Sequence, residues 1–390
     1  MLNFQDTRKA FSHKSLQELK AGVWLFRTFN YKFIVKYGPI IAKKALQIGL
    51  PIKSLIKNTL FKWFCGGEDI SECKTAIGIL AANNVGTILD YSVEGEENEN
   101  AYEQTKNEII KTIAFAKLNK SIPFTVFKAS GIVNSALLEK VSAEQSLTSK
   151  EQGEYSAFEK KFEEICKTAF ENKIRIFVDA EESWIQEAID NMAYRMMEKY
   201  NTANIYIYNT IQLYRHDRLA HLTNQISEKN FLQGYKLVRG AYLEKEIKRA
   251  AEKGYQNPIN ASKQATDDAF NKAMQICISN INRVAFCAGT HNEESSLLLT
   301  TMMDNAGIAK NHQHIWFAQL YGMSDNISFN LANQGYNVGK YLPYGPIISV
   351  LPYLSRRAQE NSSIAGQASR ELTFLKTEIK RRKKAKFAVS

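Results

Sequence analysis

Lys236-Leu237-Val238-Arg239-Gly240-Ala241-Tyr242-Leu243-Glu244-Lys245-Glu246 holds a short strand candidate, Lys236–Arg239, that stops on an arginine and a glycine, then turns charged. Short apolar segments alternating with amphipathic helical ones are what strands covered on both faces by helices look like. The glycine after it marks a loop where backbone can come close to a neighbour or a ligand. The same texture recurs along the chain from Thr87. Strands are expected at 87–93, 124–128, 174–179, 205–211, 236–239, 283–287, 315–320 and 338–342, with helical spacing between them, as in 182–199 and 295–305.

Eight strand–helix units in about 270 residues predict an α/β protein, a (β/α)8 barrel of the TIM type, in residues 86–372. A doubly wound open sheet would satisfy the same strand count. Residues 1–85 carry apolar positions at helical spacing, through Leu16, Leu19, Val23 and Trp24 to Phe33, Ile34 and Tyr37, and predict an N-terminal helical region. The pair Gly66-Gly67 is a loop, and no GxGxxG follows a strand, so no dinucleotide fingerprint is present.

With 390 residues, 44% of them apolar, the chain can bury a sizeable core. Its five cysteines have no CxxC spacing, which predicts free thiols and a reducing compartment. No apolar run spans a bilayer and no secretory segment opens the chain, so the expectation is a cytoplasmic protein. The net charge of +11 is concentrated at residues 373–390, read as a basic C-terminal tail in which Lys380, Arg381, Arg382, Lys383, Lys384 and Lys386 crowd together. The plainer reading of that tail is a solvated, frayed end. The functional one is peripheral contact with the anionic inner face of the cytoplasmic membrane. No nucleic-acid-binding module accompanies it, so nucleic acid is not expected.

Barrel chemistry sits at the C-terminal strand ends. Here these carry Asp90 to Glu94, Lys128, Asp179-Ala180-Glu181-Glu182, Asn209 to Gln212, Arg239-Gly240-Ala241, Thr290-His291, Gln319, and Tyr341 with Tyr344. Together they predict a polar mouth. The acidic cluster and His291 match no metal spacing, and no metal is expected. Lys128 could serve as a Schiff-base nucleophile or as an ion-pair partner of Asp179. After the last strand, Glu360 lies four residues beyond Arg356 and three beyond Arg357, so on a helix it can hold both. Two guanidiniums and one carboxylate leave a surplus positive charge suited to gripping a substrate carboxylate.

These endings, in this order, resemble the proline dehydrogenase family. The resemblance rests on FKASG (127–131), VDAEES (178–183), NTIQLY (209–214), KLVRGAYLEKE (236–246), THNEES (290–295), QLYGMSD (319–325) and YLPYGPIISVLPYLSRRAQEN (341–361). It implies a distorted barrel that binds FAD noncovalently. The implied reaction oxidises L-proline to Δ1-pyrroline-5-carboxylate by hydride transfer to flavin N5, with electrons passed to a membrane quinone. It further implies that Arg356, Arg357 and Lys128 grip the substrate carboxylate, that Asp179 orients Lys128, and that Tyr341 packs against the proline ring. Lys236 matches a position near flavin N5 that is Arg in many bacterial bifunctional relatives. Ala180, Gln212, Arg239, Gly240, Ala241, Thr290 and His291 match cofactor contacts, and Glu94 matches a family acid. The implied enzyme is monofunctional.

Overall fold

The structure is a computed structural model that describes residues 2–93, 98–363 and 367–387. Eight strands occur: β1 (Gly86–Tyr91), β2 (Phe124–Lys128), β3 (Arg175–Asp179), β4 (Ile207–Gln212), β5 (Gln233–Val238), β6 (Val284–Gly289), β7 (Ile315–Leu320) and β8 (Val338–Tyr344). They close into one barrel in the order β1-β2-β3-β4-β5-β6-β7-β8. The ladders are parallel, among them β1 with β8, β2 with β3 and β4 with β5. Helices surround them, so the expected (β/α)8 barrel is the fold.

β2 and β7 lie on their expected bounds, whereas β5 begins three residues early, at Gln233. Gly234 hides that start, because glycine usually signals a break. Here a Cβ would come within 2.6 Å of the Ile207 carbonyl oxygen and 2.7 Å of the Tyr208 ring, so close approach of β4 demands glycine. β8 continues past Pro343 to Tyr344, and the Pro343 carbonyl accepts from the Gly66 N–H at 2.8 Å.

Two compact units are distinguished, Met1–Gly95 with Gln319–Ser390, and Glu96–Ala318. In the second unit, Phe124 stacks on Phe177 with ring centroids 4.4 Å apart, and Tyr208 and Trp316 meet Phe124 edge-on at 5.3 Å each. These ring contacts join β2, β3, β4 and β7, and the Arg175 guanidinium lies over the Phe124 and Trp316 rings at 5.4 and 5.8 Å. Helix Ser149–Asn172 shows how local sequence sets an element. Thr148 and Glu151 form a reciprocal capping box at its start, and Lys173 ends it in the left-handed conformation.

In the first unit, Phe11, Leu19, Phe26, Phe29, Phe64 and Leu354 share a core with Leu372 and Leu375. Those last residues belong to helix Gln367–Phe387, which packs against helix Leu16–Thr28. The segment read as a solvated, frayed tail is therefore a docked helix over its described part. Charge alone concealed this, because two of its cations serve the fold. Arg381 and Arg382 hold the buried Glu378 at 2.6–2.8 Å, and Arg382 also donates to the carbonyls of Phe11 and Lys14, each at 2.7 Å. Thr7 donates to the same carboxylate.

A second buried charge anchors this unit. Asp325 lies 2.9 Å from the Lys340 ammonium and 3.5 Å from both Lys14 and His13. Burial alone would raise its carboxyl, but Lys340 and Lys14 outweigh that and hold it well below the ordinary range. Replacing one partner of a buried pair strands the other charge away from water. Asp325→Asn should cost about 3–5 kcal/mol in denaturant unfolding, and adding Lys340→Met should recover a good part of it. A loss below about 1 kcal/mol for the single variant would show that the pair is not holding the unit.

Candidate active site

At the ends of β3 and β5, Asp179 and Lys236 form an ion pair, both side chains largely buried. They come from alternate strands, which is how residues of one layer inside a barrel meet. The Lys236 ammonium also lies 5.4 Å from the Phe177 ring centroid. Lys128 is the register partner of Asp179 across the β2–β3 ladder, so both residues face the same side of the sheet. The expectation that Asp179 serves Lys128 is thus extended: its carboxylate holds Lys236.

The next residues are fixed from below. The buried Glu181 accepts from the Ser130 N–H at 2.9 Å and from the Ser130 hydroxyl, while its own N–H donates to Gln186 at 2.8 Å. Gln186 donates in turn to Asp190 at 2.8 Å, and Asp190 also takes Asn209 at 2.7 Å and Arg218 at 2.5 Å. Gln212 donates to the Glu181 carbonyl at 2.7 Å, which ties the ends of β3 and β4 together and sets the buried Ala180 between them. Burial pushes the Glu181 carboxyl up to about 7, and the Ser130 donors and Lys128 only partly offset it.

Arg239 is a bracket. Its Nε donates to Asp267 at 2.6 Å, its two terminal nitrogens to Thr290 at 2.7 Å and Ser295 at 3.0 Å, and its guanidinium lies 4.5 Å from the Phe270 ring centroid. It therefore links the ends of β5 and β6 to the helices beside them. Lys263 joins Asp267 at 2.5 Å, so the group of Arg239, Lys263 and Asp267 keeps one net positive charge. Beyond Arg239 the backbone of Gly240 and Ala241 is exposed, and His291 is half-buried. Gly240 has φ +136°, and a Cβ there would strike the Tyr214 ring at 2.4 Å, so the fold itself requires glycine. The fully buried Glu246 accepts from the N–H and hydroxyl of Ser183, both at 2.6 Å, joining the segments after β5 and β3.

The other unit carries the remaining expected residues. Tyr341 is buried on β8 and its carbonyl accepts from the Tyr321 N–H at 2.8 Å. Helix Ile347–Ser363 carries Arg356, Arg357 and Glu360, and Arg357 donates to Glu360 at 2.5 Å. The Arg357 guanidinium stands 5.0 Å from the Tyr353 ring centroid. Both the Nε of Arg357 and the Tyr353 hydroxyl are buried without a hydrogen-bond partner among the described residues. Burial raises the Tyr353 phenol far above neutrality, so it is a neutral donor. Buried donors of this kind are costly unless an acceptor meets them. Glu94 lies outside the described residues.

Sequence reasoning placed Glu181 at a strand end without its partners, and gave no role to Asp190, Asp267, Glu246, Ser130 and Tyr353. Ser130, Glu181, Glu246 and Tyr353 stood inside quoted motifs, but the pairings of Ser130 with Glu181 and of Ser183 with Glu246 join residues distant in the chain. Among the described residues, no three His, Cys, Asp or Glu side chains gather where they could hold a metal ion.

Against this geometry, the family model for proline dehydrogenase matches residues 73–370. Proline dehydrogenase 1, mitochondrial, of Dictyostelium discoideum is 32% identical over 426 residues, covering 97% of this chain and 74% of that protein. Hydroxyproline dehydrogenase of Xenopus laevis is 30% identical over 98% of this chain and 90% of its own length. The carbapenem antibiotics biosynthesis protein CarD of Pectobacterium carotovorum is 33% identical over 84% of this chain and 85% of its own. Among solved structures, proline utilization A (PutA) from Bdellovibrio bacteriovorus, inactivated by N-propargylglycine, superposes with a TM-score of 0.73 at 17% identity. That match covers 88% of this chain, which spans 38% of that one, and it bears on the fold alone. A closed parallel barrel with polar strand ends defines a class of barrel enzymes. Within it, this chain belongs to the proline dehydrogenase family.

Between the ordinary glutamate range and about 7, the folded chain binds more protons at Glu181 than the unfolded chain does, so stability falls as pH rises through that window. Glu181→Gln keeps an acceptor for Ser130 but cannot ionise. Relative to the parent, it should gain up to about 3 kcal/mol in unfolding free energy between about pH 5 and about pH 8. A difference that stays flat across that range would show that Glu181 is not a strained, buried carboxyl.

Proposed function

We propose that the chain catalyses the first step of proline breakdown, the oxidation of L-proline to Δ1-pyrroline-5-carboxylate, with FAD bound noncovalently and a membrane quinone as electron acceptor. Family membership supports the reaction class. The observation that carries the substrate is a pair of buried donors without a partner among the described residues, the Tyr353 hydroxyl and the Nε of Arg357, whose own guanidinium is braced by Glu360. A carboxylate supplies the acceptor such donors lack.

The residues suit FAD. The exposed backbone of Gly240 and Ala241 follows Arg239, whose assembly with Lys263 and Asp267 retains the positive charge an anionic pyrophosphate favours. In this reading Ala180, Gln212, Arg239, Gly240, Ala241, Thr290 and His291 hold the cofactor. When bound, the flavin accepts the hydride; everything else asked of the protein is positioning. Arg356, Arg357 and Lys128 grip the proline carboxylate and Glu360 keeps Arg357 aimed. Tyr341 packs against the ring. Asp179 holds the Lys236 ammonium in place, and Lys236 donates near the flavin edge as a point charge where a guanidinium would offer a fork. The electron-acceptor step calls for contact with the bilayer, for which the exposed Lys380, Lys383, Lys384 and Lys386 of helix Gln367–Phe387 are one candidate. Among the described residues no helix is long and apolar enough to cross a membrane.

Purified protein should show flavin absorbance and turn over L-proline with a soluble artificial acceptor. Arg356→Met and Arg357→Met should each raise KM for proline at least about tenfold while FAD content stays level. Colourless protein, or an unaltered KM in both variants, would end this reading. Because the Xenopus laevis relative is named hydroxyproline dehydrogenase, 4-hydroxyproline belongs in the same assay, and a clear preference for it would replace proline as the substrate.

A further inference from the structure

Helix Lys32–Gln47 has two apolar faces and only one of them is covered. Val35 and Ala45 are buried, with Leu46 packed beside them, and through this stripe the helix lies against helix Ile347–Ser363. On the opposite side, Phe33 is 69% exposed, Ile41 58% and Ile40 54%, and Ile34 and Tyr37 are exposed too. At 100° per residue these five fall within about 120° of arc, a continuous apolar stripe. Single exposed apolar residues are ordinary on a protein surface; a contiguous stripe is not.

The charges around the stripe select what covers it. Residues 19–67 contain nine Lys or Arg and no Asp or Glu. Lys36 and Lys43 flank one side of the stripe and Lys44 stands within it, all three exposed. The Lys36 ammonium lies 5.2 Å from the Tyr37 ring centroid. A second copy of this chain would bring the same cations against each other. A surface of anionic headgroups over acyl chains complements both features at once, since lysine stems reach up to the phosphates while the stripe enters the chains. The helix has 16 residues and contains Pro39, which suits lying in the interface and does not suit spanning it.

We propose that helix Lys32–Gln47 is a membrane-docking surface that seats its Phe33–Ile41 stripe in the interface of an anionic bilayer. This deepens the membrane contact suggested above, and it stands on a different element from the C-terminal lysines.

The test is cosedimentation of the full chain with vesicles of phosphatidylglycerol and phosphatidylcholine, against vesicles of phosphatidylcholine alone. Phe33→Ser/Ile40→Ser/Ile41→Ser should weaken binding to the anionic vesicles at least about tenfold. Its unfolding midpoint and its proline turnover with a soluble acceptor should stay close to the parent's, because all three side chains are more than half exposed. Lys380→Gln/Lys383→Gln/Lys384→Gln should leave most of the binding intact. Ile40→Trp should shift its emission to the blue only on anionic vesicles. Undiminished binding by the triple serine variant, or loss confined to the C-terminal variant, would overturn the proposal. So would a chain that ignores vesicles and instead dimerises through this stripe, seen as a parent dimer and a monomeric triple variant in size-exclusion chromatography. Turnover with the soluble acceptor reads the enzymatic proposal separately, so failure of one does not pass for failure of the other.

Discussion

A charge removed from water must be met by an opposite charge or by several dipoles, and the functional parts of this chain are held by that requirement. Asp179 is met by Lys236, Asp267 by Arg239, and Asp190 by Arg218 with Asn209 and Gln186. Each pair joins elements remote in sequence, so each ties a strand end or loop to a neighbour that no local interaction could reach. The same requirement acts in the other unit, where Asp325 takes Lys340 and Glu378 takes Arg381 and Arg382. Apolar burial supplies most of the stability, but it is non-directional. The paired charges are what position individual side chains.

This division of labour explains a feature of the strand ends. Groups of plausible chemical use, such as Arg239 and Gln212, are also structural, each committing donors to the protein itself. A side chain braced in this way loses little freedom when a ligand arrives. Arg357 is the informative contrast: one terminal nitrogen is braced by Glu360, while its buried Nε has no acceptor among the described residues. Rigid support on one side and an unmet donor on the other is what the proposed carboxylate grip rests on.

The strands were legible because a strand buried on both faces has an apolar run that needs no partner to be recognised. β2 and β7 illustrate this, and β5 shows the limit, since Gly234 looks like a break until β4 is beside it. The candidate site was legible as a roster of strand-end residues and much less as an arrangement. Arg357 with Glu360 could be read from helical spacing. Asp179 with Lys236 is a contact across 57 positions, and the sequence suggested Lys128 first.

The C-terminal basic segment marks the same boundary. Its charge is a property of composition and was visible at once, whereas its conformation depended on Leu372 and Leu375 finding helix Leu16–Thr28 and on Glu378 meeting two arginines. Sequence by itself determined the element types, the polar strand endings and the family, because periodicity, turn residues and motif order are local and one-dimensional. Tertiary structure alone decided which charges remote in sequence pair, which donors stay unmet among the described residues and which apolar face of helix Lys32–Gln47 stays in water. Those outcomes depend on burial and on contacts between residues far apart in the chain, and neither quantity exists until the chain has folded.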